Sequence, residues 1–192
     1  MMTTIYRGIA FNSRMEAQWA VFLDALAVEW AYASKACLLA NGRLYTTGFW
    51  MPQFDAFLDV IEPERFISEE TAHAAEALTK MIYVAHGIPD GRMGDWIWDG
   101  PRSLEVFWPE EGWDDGHTFA VCPHGYLGIE FEGGHTIDRH CHGSNHMDTP
   151  QVVRVGLRER GRGDVDRAGV AAIQYAVDLS NDFRYGNAGV RR

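Results

Sequence analysis

Apolar side chains at Met15, Trp19, Phe22, Leu23 and Leu26 recur at the i, i+4, i+7, i+8, i+11 spacing that places one stripe on a helix. Ser13, just before them, supplies an N-cap hydroxyl. Val28–Tyr32 leads into a strand-like run, and Ala40-Asn41-Gly42-Arg43 reads as a turn because Asn-Gly tolerates positive φ. Two β-rich runs of apolar and aromatic residues, Leu44–Met51 and Phe54–Ile61, flank Pro52-Gln53 and predict a buried hairpin. After Pro63, Ser68 caps a second predicted helix with Glu69 and Glu70 in its first turn, where the helix dipole favours negative charge. Its buried stripe is Ala75, Leu78, Ile82 and Ala85, and Gly87 followed by Pro89 stops it. Trp96–Trp98 and Leu104–Trp108 read as strands joined by the turn Asp99-Gly100-Pro101, and Tyr126–Phe131 as a further strand. A last helix, capped by Asp164, buries Val165, Ala168, Ala172, Ala176, Leu179 and Phe183 and ends at Gly186.

Helices interleaved with short strands predict an α/β chain, and 192 residues at 46% hydrophobic composition supply one main core with room for a small appendage. No apolar run reaches about 18 residues, and the N-terminus lacks a charged region followed by an apolar one. Neither a membrane span, a membrane partner nor a signal peptide is expected, and the expected location is cytoplasmic. A net charge of −10 argues against diffuse DNA binding, which needs clustered Lys and Arg to neutralise phosphate. A local basic stretch exists in Arg154–Arg167, where five arginines, with Gly161 and Gly163 inside, predict a connector. It reads as a solvated loop or, alternatively, as a contact for DNA.

Several residues carry candidate chemistry. Asp59 sits in the second apolar run of the hairpin, and a carboxylate at the end of a buried strand requires a compensating cation, metal ion or cluster of donors. The plainer alternative is that Asp55 and Asp59 share the solvent face of an edge strand. Glu16 lies beside the first helix's apolar stripe. Three cysteines, an odd number, favour free thiols or metal ligands over a disulfide framework. Phe119–Gly125 and His140–Gly143 each hold a Cys/His knuckle across a hairpin, so Cys122, His124, Cys141 and His142 are candidate ligands of a structural Zn, with His135, His140 and His146 as substitutes. Surface histidines without metal are the alternative. The tryptophans of residues 96–108 are core residues or, alternatively, a stacking platform for bases.

The run Phe11-Asn-Ser-Arg-Met-Glu16-Ala-Gln-Trp-Ala-Val-Phe-Leu-Asp24, then Trp30-Ala-Tyr32, Gly42-Arg-Leu-Tyr45 and Phe49-Trp-Met-Pro52, resembles small PD-(D/E)XK nuclease-like proteins of actinobacteria and their phages. Asp182-Phe183-Arg184-Tyr185-Gly186 partly echoes a C-terminal motif of the same proteins. The resemblance spans most of the chain and is strongest over residues 11–63. It implies a PD-(D/E)XK nuclease-like core of mixed sheet and flanking helices over residues 1–117. A degenerate zinc-ribbon-like hairpin over 118–150 follows, then a basic connector and C-terminal helix over 151–192. In such nucleases a helix glutamate and two further carboxylates hold Mg, and a lysine supports charge developing on the phosphate. Glu16 matches the helix glutamate and Asp59 the D/E position. Thr47-Gly48 stands where the family has Pro-Asp, and Ile61, followed by Glu62, stands at the lysine position.

Only Lys35 and Lys80 are lysines, so a relocated lysine is one of these, with Lys80 on the second predicted helix the better candidate. Asp55 cannot replace the lost aspartate: along one strand it would lie about 13 Å from Asp59 at roughly 3.3 Å per residue, too far to share one Mg. Three readings follow. The first is a catalytically inactive nuclease fold, of phage or mobile-element type, that binds a host defence or DNA-processing protein or a phage protein. The second is a Mg-dependent endonuclease with a rearranged site of Glu16, Asp59, Glu62 and Lys80. The third is a noncatalytic nucleic-acid binder. Even without catalysis the packing of Trp19, Phe22 and Leu23 onto the sheet predicts Glu16 and Asp59 near one another, and without Mg an arginine or Lys80 between them or a raised carboxyl pKa.

Overall fold

The computed structural model describes residues 4–89, 104–109, 112–121, 127–131 and 162–183. Its organising strand is β7, Ala56–Ile61, whose side chains alternate between two faces. Ala56 and Leu58 enter one apolar cluster and Phe57 the other, so the strand is buried on both sides. Its antiparallel neighbour is β6, Phe49–Met51, joined to it through a 3₁₀ turn over Pro52–Phe54 and Asp55 at φ 49°. The expected hairpin is therefore present, but its first strand is shorter than the apolar run. Leu44–Thr46 forms a separate strand, β5, paired with β4, Ala36–Leu38, across the Asn41-Gly42 turn. There Gly42 adopts φ 79°.

The first helix, α1, runs from Arg14 to Ala25 and begins with a capping box: Ser13 Oγ accepts from Glu16 N at 3.1 Å, and Glu16 Oε2 accepts from Ser13 N at 2.7 Å. Two short strands, β1 (Thr4–Tyr6) and β2 (Ile9–Phe11), precede it, and β3 (Ala31–Tyr32) follows. Trp19, Phe22, Leu23 and Leu26 are fully buried as their spacing predicts, while Met15 is only half-buried.

The second helix departs from expectation. α2 ends at Leu78 with Thr79 in the left-handed conformation, and Met81–His86 is a strand, β8. Ile82 and Ala85, three apart, fit a helical stripe. On β8 they face opposite sides of the sheet, Ile82 among α2's contacts and Ala85 on the α1 side. β8 pairs parallel with β7 from Ala56↔Met81 to Ile61↔His86, and α2, Glu69–Leu78, is the crossover that parallel pairing requires.

The full sheet has the order β11-β10-β9-β8-β7-β6-β3, with β9 at Leu104–Trp108, β10 at Gly112–Val121 and β11 at Leu127–Phe131. All of its described pairings except β7–β8 are antiparallel, so the protein is a mixed α/β chain with a mixed sheet. Helices flank both faces: α1 and the C-terminal helix α3, Arg162–Asn181, on one, and α2 on the other. The boundary expected after residue 117 falls inside β10, which pairs on both sides within this sheet, and Phe119 packs against Trp19 and Phe22. Of the residues expected to form the hairpin over 118–150, the described ones, Thr118–Val121 of β10 and Leu127–Phe131 of β11, pair within the main sheet.

α3 begins at Arg162, two residues before the expected cap, so Arg162–Arg167 belongs to a helix and not to a connector. Its buried positions at the C-terminal end are Ile173, Ala176, Val177 and Ser180, followed by Phe183; Leu179, expected inside, is exposed. Gln18 Nε2 donates to Ser180 O at 3.2 Å, tying α1 to α3, and Trp19 Nε1 donates to Gly87 O at 2.9 Å, tying α1 to the end of β8.

Candidate functional site

Strand alternation turns Asp59 to the same side as Phe57 and Ile61, yet at the end of β7 where β6 gives way to Gly48. The residue is 9% exposed. Both carboxylate oxygens are occupied by donors: Gly48 N donates to Oδ1 at 2.6 Å, and the Tyr45 hydroxyl donates to Oδ2. A relay of hydroxyls continues from there, with Thr71 Oγ1 3.2 Å from Tyr45 Oη and Ser68 Oγ 3.4 Å from Thr71 Oγ1. Burial raises the Asp59 pKa above the ordinary 3.8, the Tyr45 and Gly48 hydrogen bonds lower it in part, and the charge of Glu16 adds to the rise. Burial also pushes the Tyr45 hydroxyl well above its usual range, reinforced by the neighbouring Asp59 charge.

Glu16 arrives from the other face. Its carboxylate is held by the capping box at the start of α1, and it lines the same cleft as Asp59, a space of about 210 Å³. Tyr32, whose Oη accepts from Asn12 N at 3.1 Å, lies in that cleft as well. Its pKa is raised, first by burial and then by the charges of Glu16 and Asp59, against the lowering effect of the Asn12 hydrogen bond. Arg65, Phe66 and Glu70 also line the cleft, with Glu70 paired to Arg43. Glu16 and Asp59 thus line one cleft, and the charge of Glu16 is the last of the contributions to the raised Asp59 pKa, after burial.

The remaining candidates are not gathered there. Lys80 bonds Asp55 at 2.5 and 2.7 Å and lies 6.0 Å from the Trp50 ring, and neither it nor the exposed Glu62 is among the cleft residues. Lys35, the other lysine, lies 5.9 Å from the same ring. Among the described residues no three or more His, Cys, Asp or Glu side chains are grouped so as to hold a metal ion. The proposed zinc ligands Cys122, His124, Cys141 and His142, and residues 154–161 of the basic stretch, lie outside the described residues.

Gly48 has a role that the sequence disguised. A Cβ built there would lie 2.5 Å from Leu58 O and 3.2 Å from Asp59 Oδ1, so glycine allows the amide to approach the carboxylate. Tyr45 and Thr71 were not singled out as site residues; one stands on the small β4–β5 sheet and the other on α2, and only tertiary packing joins them at Asp59. No protein-family model matches the chain, and comparisons with curated proteins and with solved structures return no match.

Proposed function

We propose that this chain is a catalytically inactive protein with a nuclease-like core, of phage or mobile-element type, which acts by binding a host defence or DNA-processing protein. The observation that supports this reading is the occupancy of Asp59. In a Mg-dependent phosphodiesterase a carboxylate at this position offers its oxygens to the metal beside a second strand carboxylate. Here both oxygens accept protein donors, and the neighbouring strand position is a glycine with no room for a side chain. Ile61, at the position where the resembled family carries lysine, is partly buried in the apolar cluster beneath α2 and brings no charge to the cleft. Lys80, the relocation candidate, is engaged with Asp55 outside the cleft.

The test is incubation of the purified protein with Mg²⁺ or Mn²⁺ and linear, nicked and branched DNA. The expected outcome is no cleavage above a blank. Metal-dependent cleavage abolished by Asp59→Ala would replace this reading with that of an endonuclease having a rearranged site.

A further inference from the structure

The outer face of the β4–β5 hairpin is uncharged and open. Leu38 and Leu44 are cross-strand partners, each 70% exposed, whereas Cys37 and Tyr45 on the opposite face turn inward. Two residues beyond Leu44 on the same face is Thr46, which lines the cleft holding Asp59. Phe66 lines that cleft too and is 92% exposed, on the loop between β7 and α2. Phe66 is thus an aromatic ring left in water at a concave polar site, and the leucine pair is a second exposed apolar patch on the hairpin that supplies Tyr45 and Thr46 to that site, surface of the kind that marks binding faces.

Charge selects the occupant. The cleft is lined by Glu16, Asp59, Glu70 and one cation, Arg65; with Glu70 already paired to Arg43, Glu16 and Asp59 stand against Arg65 in a chain of net charge −10. A phosphate backbone would be repelled from such a lining, while a guanidinium or ammonium group would be attracted. We propose that the cleft and these two apolar patches receive a segment of a protein partner in which an Arg or Lys side chain enters toward Glu16 and flanking apolar side chains pack on Phe66 and on Leu38–Leu44. This inference rests on the noncatalytic reading above and names the chemistry of the partner it requires.

The experiment selects random linear peptides displayed on phage against the full chain, then measures one enriched peptide, made synthetically, by fluorescence polarisation. Peptides carrying Arg or Lys flanked by apolar residues are expected. Phe66→Ser and Leu44→Ser, both at exposed positions, should each weaken binding by about tenfold or more, the loss typical of removing a central anchor. Glu16→Gln, which keeps the capping box, should weaken binding and flatten its dependence on salt while leaving the melting curve in place. Enrichment of no peptide or of acidic ones, or affinity indifferent to both Phe66→Ser and Leu44→Ser, would overturn the inference. So would binding of single-stranded DNA that is lost in Phe66→Ser. DNA cleavage assayed on the same preparation keeps the two ideas separable: peptide failure without cleavage sinks only this inference, and metal-dependent cleavage sinks the noncatalytic reading whatever the peptides do.

Discussion

Gly48 and Asp59 form a pair in which one residue's lack of a side chain satisfies the other's charge. Adding a methyl group at position 48 brings a Cβ against the Leu58 carbonyl at 2.5 Å, and backbone cannot yield as a flexible side chain can. Gly48→Ala is therefore expected to destabilise the fold by about 1–3 kcal/mol, the usual range for overpacking. Urea unfolding should show a lower midpoint with unchanged slope. Gly48→Asp, which places an aspartate where the resembled nucleases carry one, meets the same obstacle and should lower stability without creating a nuclease.

Asp59 makes a second prediction at this scale. Its folded-state pKa is raised above the unfolded value, so the native state binds the extra proton and stability falls as pH rises from near 4 through the folded pKa. Asp59→Asn removes this titration. The stability of Asp59→Asn relative to the parent should accordingly shift in the variant's favour between pH 4 and pH 7, as read from paired urea titrations. No shift, or one of opposite sign, would mean that Tyr45 and Gly48 outweigh burial.

At the scale of elements, the capping box decides where α1 begins, because Ser13 and Glu16 satisfy each other's backbone donors. Ser13→Ala should cost about 0.5–2 kcal/mol and lower the thermal midpoint. Ser13 was legible in the sequence as the cap, whereas the reciprocal bond involving Glu16 was not. The end of α2 was not legible. Ile82 and Ala85 extend a helical spacing, but the non-local alternative, six consecutive register partners on β7, is stronger once the strands meet. Thr79, a β-branched residue at φ 51°, terminates the helix against its own preference. No local signal of the glycine kind announces it.

For the whole molecule, Phe119 of β10 is the residue that makes the outer strands part of one core, packed on Trp19 and Phe22 of α1. Phe119→Ala is expected to cost about 3–5 kcal/mol. Hydrogen exchange should then accelerate in the α1 amides as well as in β10. Loss of protection confined to residues 112–131 would mean that these strands fold as a separate unit.

The sequence by itself determined what depends on neighbours along the chain: the α1 stripe and its cap, the Asn41-Gly42 turn, the β6–β7 hairpin and the α/β class. It also singled out Asp59, because a carboxylate amid apolar residues is conspicuous wherever the chain folds, and Glu16 through its place in the resembled motif. Only the tertiary structure decided that Met81–His86 is the central strand, that Lys80 faces Asp55, and that Asp59 is answered by Tyr45 and Gly48. Those outcomes depend on register between strands and on which face a helix presents, quantities set by burial summed over distant segments.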